Sequence, residues 1–439
     1  MNFHESEEYL FSLGNEVEAM KLGLENIRKL LAALGDPQKS YLKVQVTGTN
    51  GKGSVCAFLD SICLQAEIKT GVFTSPHLVS ITERVRINGV DISEGEFARL
   101  ATRVREASEL LVERGEIERV PTYFEQVTAI ALVAFAEVNV ELAILETGLG
   151  GRYDAVTAAN AEIAGITRID LDHQQYLGET IEEIAAEKAA IIRSDSKVVI
   201  GEQANEAMKA VKDRCFALGV VPILARDIVV TKDRNTTVRE CATFVMKRGA
   251  HPLPLVFPPV SLGLAGAHQL ENAKTAILLA EILQEYFPAT EGNILEGLKH
   301  AKHPGRLESI GKFLLDGAHN IGGAKALAAY LDEFITEPIT LVFGAMRDKD
   351  VSEIAAILFP RAHKIILTEP ANSRAMRVSE LFRIIPAVVS ADVVKLVKYV
   401  KDAVSAAQEA TPEDGIILIT GSLYLIGDAK RVIEQKTRI

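Results

Sequence analysis

The stretch VTGTNGKGSV, residues 46–55, decides how the chain folds, because it joins two patterns of different period. Before it, Val44-Gln45-Val46 reads as the end of a β-strand. After it, Ser54 opens a helical pattern with apolar residues at Cys56, Leu59, Ile62 and Cys63. Strand, glycine loop and helix in that order set backbone N–H groups at a helix N-terminus, where donors lack partners and the dipole favours anions. Phosphate oxygens are the natural occupants. Lys52 then supplies a compact positive charge and Ser54 a hydroxyl near a divalent cation. The common phosphate loop is G-x-x-x-x-G-K-[ST]. Here Gly48 and Gly51 stand only three apart, and Gly53 separates Lys52 from Ser54. Taken alone, such a turn is also compatible with nothing more than a tight connection.

Around this loop lies a chain of 439 residues, long enough for two or three cores. Apolar residues make up 48% and charged residues 24%, the balance of an ordinary globular protein. The longest apolar candidate, residues 129–145, is broken by Glu137, Asn139 and Glu141, so no membrane span is expected. The acidic start MNFHESEEYLF lacks the basic and apolar segments of a secretory signal, and a cytoplasmic address is expected. Cys56, Cys63, Cys215 and Cys241 show no C-x-x-C spacing and read as small core residues. A formal net charge of −11 argues against a nucleic-acid surface, so any anionic substrate needs local positive charge.

Residues 15–35 carry Leu22, Leu24, Ile27, Leu30, Leu31 and Leu34 near helical spacing and end at Gly35. Strand-like runs follow at 138–145, 163–166 and 197–200, alternating with helical patterns such as 179–192. That alternation predicts parallel strands covered by helices. Between about 220 and 262 the pattern becomes Val/Thr-rich and then proline-rich, at Pro252, Pro254, Pro258 and Pro259, which predicts an antiparallel or irregular insertion. A helix, AHQLENAKTAILLAEIL, leads to the turn His303-Pro304-Gly305-Arg306. The α/β rhythm then restarts with strands at 312–315, 339–343 and 415–420 and a helix from Gly322. Two domains, 1–300 and 301–439, are the simplest account, with a ligand expected in the cleft between them.

Glu146 ends the run Leu142-Ala143-Ile144-Leu145, where a carboxylate beside a phosphate loop can hold Mg²⁺ or simply be a solvated acid. Gly148 to Asp154 form a second glycine-rich loop, able to approach a ligand closely. His173 reads either as a ligand or as an ordinary packed histidine. Lys188 lies in a helical run of small residues, where most lysines reach for solvent.

These motifs, with Phe73-Thr74-Ser75-Pro76-His77-Leu78, Glu83-Arg84-Val85-Arg86, Thr122-Tyr123-Phe124-Glu125, Asp172-His173, Glu187-Lys188-Ala189, Asp316-Gly317-Ala318-His319-Asn320 and Asp348-Lys349-Asp350, resemble the folylpolyglutamate synthase and dihydrofolate synthase family. The resemblance runs in order from Met20-Lys21-Leu22-Gly23-Leu24 to Gly421-Ser422-Leu423-Tyr424. That family belongs to the Mur ligases, ATP-dependent amide-forming enzymes. It implies an α/β fold in which an N-terminal P-loop ATPase domain with a mostly parallel sheet precedes a smaller Rossmann-like α/β domain for glutamate ligation. It also implies ATP, two Mg²⁺ sites and an acyl phosphate that glutamate attacks. By its pattern Thr49, Asn50, Gly51, Lys52, Gly53 and Ser54, with Asn272, Arg306 and Asp316, hold nucleotide. Ser54, Ser75 and Glu146 serve the first metal and His173 the second. Thr122, Phe124, Tyr153, Asp154 and Ala155 line the pterin pocket, and Arg84, His319, Lys349, Ser422 and Tyr424 take glutamate. Lys188 is implied to work as a carbamate.

After Asp154 the family usually continues Ala-Thr-Asn, whereas this chain has Ala155-Val156-Thr157, so the finer pterin contacts differ. The substrates implied are folate or dihydropteroate, L-glutamate and ATP, handled by a monomer with no nucleic-acid or membrane partner. The rivals are a peptidoglycan-type Mur ligase, which usually carries a further N-terminal domain, and a nucleotide-switched binding protein. The guanine-reading [NT]-K-x-D element of the latter is not found.

Overall fold

The computed structural model describes residues 1–14, 23–232, 241–246 and 255–437. Two compact units emerge: Met1–Thr231 with Ala242–Ser261 and Glu271–Lys302, and Lys232–Cys241 with Leu262–Leu270 and His303–Ile439. No helix among the described residues is long and apolar enough to cross a membrane.

The first unit is built on β1 (Leu42–Thr47), β2 (Thr70–Phe73), β3 (Val85–Ile87), β4 (Val90–Asp91), β5 (Leu142–Glu146), β6 (Ile163–Ile166), β7 (Lys197–Ile200) and β8 (Ile223–Leu224). They lie in the order β4-β3-β2-β5-β1-β6-β7-β8. From β2 to β8 every neighbouring pair is parallel, and only the β2–β3 and β3–β4 pairs are antiparallel. The apolar runs of β5, β6 and β7 follow from burial on both faces, since a parallel sheet is covered on each side. Two cores lie along one face of the sheet: one, including Leu30, Phe97, Ile130 and Phe135, reaches Ala143 and Leu145 of β5, and the other, including Ile184, Ile192 and Val211, reaches Ala164 and Ile166 of β6.

The expected strand at 138–145 is shorter than its apolar pattern. The helix Tyr123–Glu137 runs up to Val138, Asn139 turns into the left-handed region at φ 54°, and β5 begins only at Leu142. Short Asn side chains tolerate that conformation. The helix after the glycine loop starts at Lys52, two residues before the apolar pattern does. Of the expected N-terminal helix, Glu25–Ala33 is seen, whereas its first part, 15–22, lies outside the described residues. The insertion contributes β9 (Ile228–Lys232), β10 (Cys241–Met246) and β11 (Leu255–Ser261), a three-stranded sheet in the order β11-β10-β9. Pro258 and Pro259 sit in the edge strand β11, where a missing N–H is tolerated. Pro252 and Pro254 lie outside the described residues.

The second unit holds β12 (Glu308–Ile310), β13 (Phe313–Asp316), β14 (Ile339–Phe343), β15 (Lys364–Glu369), β16 (Val394–Tyr399) and β17 (Ile416–Thr420), in the order β12-β13-β17-β14-β15-β16. All pairs but β12–β13 are parallel. Phe343 and Phe359, with ring centroids 5.0 Å apart and planes at 81°, anchor its core edge to face. The architecture is the one implied: a large, mostly parallel P-loop domain and a smaller Rossmann-like α/β domain.

One helix pair in the first unit depends on a glycine. A Cβ at Gly297, in the helix Glu291–His300, would fall 2.4 Å from the Cα of Ile62 in the helix Lys52–Gln65. Propensity alone favours alanine in a helix by about 1 kcal/mol. Gly297→Ala is nevertheless expected to destabilise the protein by about 1–3 kcal/mol, because backbone cannot step aside. A thermal midpoint equal to or above that of the wild type would show that the two helices can separate without cost.

Candidate active site

The glycine loop leaves β1 at Thr47 and enters the helix Lys52–Gln65 at Gly51, which has φ 92°. Space dictates both glycines. A Cβ at Gly48 would lie 1.9 Å from Thr167 Oγ1, and one at Gly51 would lie 2.2 Å from Asn272 Oδ1. Asn272, far along the chain from Gly51, is thereby packed against the loop. The first intrahelical bond runs from Val55 N to Gly51 O (2.9 Å), so the Lys52 and Gly53 amides precede it at the positive end of the helix.

Thr49 and Asn50 are held differently. Both of their backbone N–H groups donate to Arg168 O, at 2.8 and 3.1 Å. The Thr49 hydroxyl donates to Asp170 O (2.9 Å), and the Asn50 amide donates to the Asp170 carboxylate (3.0 Å). Thr167 Oγ1 donates to Asn50 O at 2.8 Å. These two loop residues are therefore moulded onto residues 167–170, none of which the motif reading assigned. Sequence offers no local signal for them, because Thr49 and Asp170 are 121 residues apart.

Two amines meet on one carbonyl. Lys52 Nζ donates to Gly48 O at 3.2 Å and to Thr49 O at 3.3 Å, and Lys188 Nζ donates to the same Gly48 O at 2.8 Å. Lys188 does not reach for solvent: it is 3% exposed, at the end of the helix Ile181–Ala189. Burial pulls its pKa down to about 7, and the Lys52 charge adds to the fall, while Asp172 and Asp154 oppose it. An amine in this setting is largely deprotonated just above neutral pH.

Glu146, at the carboxyl end of β5, is buried and accepts from Ser75 N at 3.2 Å, so the structure brings these two expected metal residues together. Ser54 is buried in the first turn of the adjoining helix. Among the described residues no group of three or more His, Cys, Asp and Glu is arranged to hold a metal. Carboxylate and hydroxyl oxygens at one strand end still suit Mg²⁺, which takes one or two carboxylates and completes its shell with water and phosphate. His173 lies in the left-handed region at φ 51°, with Nε2 3.8 Å from Asp172 Oδ1.

The second glycine loop closes over Asp154. Its carboxylate accepts from Leu149 N (2.8 Å) and Val156 N (3.0 Å), and burial raises its pKa to about 7 despite those donors. Phe124 packs beside Phe73 at 5.9 Å and fills the space where a Gly148 side chain would stand, at 2.6 Å. Thr122 caps the helix that carries Phe124, Ala155 is buried, and Tyr153 is half exposed. Arg84, expected to serve glutamate, is buried in this unit: its Nε donates to His77 Nδ1 (2.8 Å), and its guanidinium lies 5.6 Å from the Tyr123 ring centre. It therefore adjoins the helix of Thr122 and Phe124.

The second unit holds the remaining candidates. Asp316 accepts from Leu307 N and Ala318 N, both at 3.0 Å, and burial raises its pKa against the lowering effect of Arg306. Gly317 has no room for a side chain, because Arg306 Nη1 lies 2.4 Å from its Cβ position. His319 Nδ1 pairs with Gly317 O at 2.7 Å. Ser422 Oγ accepts from Tyr424 N (3.1 Å). The Tyr424 hydroxyl accepts from Arg374 (3.3 Å), which also lies 3.6 Å from Asp348, the neighbour of Lys349. Arg374 thus links Tyr424 to the Asp348-Lys349-Asp350 motif, and the motif reading missed it.

Comparison with known proteins agrees with this geometry. Residues 46–280 match the Mur ligase middle domain, and residues 305–423 match the Mur ligase, glutamate ligase domain. The dihydrofolate synthase/folylpolyglutamate synthase of Bacillus subtilis is 33% identical over 94% of this chain and 95% of its own length. The chain belongs to the folylpolyglutamate synthase/dihydrofolate synthase family of Mur ligases. A Halobacterium salinarum relative, the probable bifunctional folylpolyglutamate synthase/dihydropteroate synthase, is 34% identical over 98% of this chain, which spans only 51% of that relative. Mycobacterium tuberculosis folylpolyglutamate synthase complexed with ADP superposes with a TM-score of 0.89 at 30% identity, covering 98% of each chain.

The Lys188 environment sets a pH signature. Folding moves its pKa from the ordinary 10.5 to about 7, so between those values the unfolded chain holds the extra proton and stability rises with pH. The penalty is complete below pH 7 and fades towards pH 10.5. In CO₂-free buffer, wild type should therefore gain roughly 3 kcal/mol relative to Lys188→Met between pH 7 and pH 9.5. Parallel stability curves for the two proteins in urea would mean that Lys188 is charged in the folded state.

Proposed function

We propose that the chain is an ATP-dependent ligase that joins a folate- or dihydropteroate-type carboxylate to the amine of L-glutamate through an acyl phosphate. The observation that carries this reading is the convergence of Lys52 and Lys188 on Gly48 O at the N-terminus of the helix Lys52–Gln65. Positive charge and oriented amides concentrated there match the triphosphate whose terminal group is transferred. The relatives are folylpolyglutamate and dihydrofolate synthases, which favours this reading over a peptidoglycan ligase.

In the reaction, a carboxylate oxygen of the pterin acid attacks the γ-phosphorus, and ADP departs. The glutamate amine then attacks the acyl carbon, phosphate departs, and the amine loses a proton. Lys52 and the loop amides neutralise the phosphates, while Asn272 abuts the loop and orients the nucleotide. Mg²⁺ supplies Lewis-acid polarisation of phosphoryl oxygens, with Ser54, Ser75 and Glu146 as the residues to hold one ion and His173 the other. Thr122, Phe124, Tyr153, Asp154 and Ala155 receive the pterin acid. Arg306 and Asp316 serve nucleotide; His319, Lys349, Ser422 and Tyr424 serve glutamate, with Arg84 retained for a carboxylate.

Lys188 acts in this reading as a carbamate, formed when its neutral amine adds to CO₂ and releases a proton. Its depressed pKa supports that chemistry, because the ammonium has no lone pair to donate. The product is an anion with two oxygens near Asp172 and His173, which can orient the histidine.

Purified protein with ATP, Mg²⁺ and glutamate, offered each pterin acid in turn, should release phosphate only when acid and amino acid are both present. Lys52→Ala and Glu146→Ala should each lower turnover at least about a hundredfold. Near-normal turnover in folded Glu146→Ala protein would remove the metal assignment, and phosphate release independent of glutamate would remove the ligase. For the carbamate, Lys188→Ala should be nearly inactive and partly restored by small carboxylic acids. Full activity after rigorous removal of CO₂ would exclude it.

A further inference from the structure

The sheet order β5-β1-β6 makes the connection from β5 to β6, residues 147–162, cross β1. Such parallel crossovers usually carry a helix. Here the crossing segment contains only the 3-10 turn Ala155–Ala159, so much of its backbone needs partners from elsewhere. The crossed strand meets it with a row of polar side chains. Lys43, Gln45 and Thr47 alternate along β1 and share one face. Lys43 Nζ donates to Glu162 (2.9 Å), Gln45 Nε2 donates to Thr147 Oγ1 (3.1 Å) and Thr157 Oγ1 (2.8 Å), and Thr47 Oγ1 donates to Gly150 O (2.8 Å).

The middle rung continues into the second glycine loop. Thr157 Oγ1 accepts from Gln45 and donates its own hydrogen bond to Gly151 O at 2.7 Å. Gly151 O also accepts from Asp154 N (3.3 Å), and Thr157 N donates to Asp154 O (2.9 Å). Gln45 is 2% exposed in the middle of a central strand, flanked in register by Leu145 and Ala164. A buried amide there is costly unless bonded. Neither Gln45 nor Thr157 belongs to the set assigned to substrate. Thr157 is also one of the two positions, with Val156, where the chain departs from the motif its family usually shows.

We propose that Gln45 and Thr157 are positioning residues: the relay from Gln45 through Thr157 to Gly151 O sets the conformation of residues 148–157 and so the affinity for the acid substrate. The inference rests on the assignment of Asp154 and Ala155 to that substrate. Thr157→Val keeps the shape of the side chain but removes the donor to Gly151 O and the acceptor for Gln45. It should raise KM for the pterin acid about tenfold, with kcat and the KM for ATP within about twofold. Thr157→Ser keeps the hydroxyl and should behave as wild type. Gln45→Met should reproduce the effect, and the double variant should be no worse than the worse single one, because one relay is cut in both.

An unchanged KM for the acid in Thr157→Val, or KM values for acid and ATP that rise together with a falling thermal midpoint, would overturn the proposal. Additive effects of the two substitutions would also overturn it. If Thr157→Val does not fold, Gln45→Met decides by the same constants. Wild-type protein that turns over no pterin acid would instead sink the substrate assignment, and this inference with it.

Discussion

The structure of the first unit depends on the carbonyl of Gly48. It stands at the end of the central strand β1 and receives the ammonium or amine groups of two lysines, one from the loop itself and one from a helix 140 positions further along the chain. A carbonyl has two lone pairs, so both donors can be accommodated. The two nitrogens are nevertheless brought close enough for their charges to oppose each other. Burial weighs further against the charge of Lys188, which lies inside the protein. Lys52 is less buried, where its charge can meet an anion. One backbone oxygen thereby holds a partly exposed lysine and a buried one side by side.

That arrangement needs every element around it. Thr167 and Asn272 close the space beside Gly48 and Gly51, so the loop has no room for Cβ atoms and comes close to whatever binds at the helix end. Arg168 O collects the amides of Thr49 and Asn50, which turns the loop towards β6. Asp154 sits near the same lysines with its own pKa raised by burial to about 7. Its charge favours the protonated form of Lys188, and a charged Lys52 favours the ionised form of Asp154. Protonation of Asp154 and Lys188 is therefore coupled, and a bound polyanion beside them would shift both.

Much of this was legible in the sequence, for particular reasons. β6, β7 and β14 fall where short apolar runs are bounded by polar, proline or glycine residues, and such runs leave little choice of end. The start of the helix at Lys52 was hidden because lysine and glycine look like loop, although the helix begins on them. The strand expected at 138–145 starts too early because Val138 and Val140 extend the apolar run, when a left-handed Asn139 separates helix from strand. Lys52, Glu146 and Asp154 stood out as candidates because each is a charge in or next to a glycine-rich connection. Asp170, Arg374 and His77 were not, since their roles arise from partners brought close only by folding.

Gln45 shows how a misread signal can carry the deeper information. Val44-Gln45-Val46 passes for an apolar run with one blemish, yet Lys43, Gln45 and Thr47 form an alternation of their own, with the period of a strand. A strand buried on both faces has no reason to keep three polar residues on one side unless that side meets something other than helix. What it meets is the irregular segment 147–162, whose Gly150 carbonyl takes the Thr47 hydroxyl and whose Thr147, Thr157 and Glu162 side chains take the donors of Gln45 and Lys43. The polar face of β1 is thus the imprint of the loop that crosses it: the chemistry of the crossing segment is written into a strand about a hundred residues earlier, and the placement of Asp154 follows from both together.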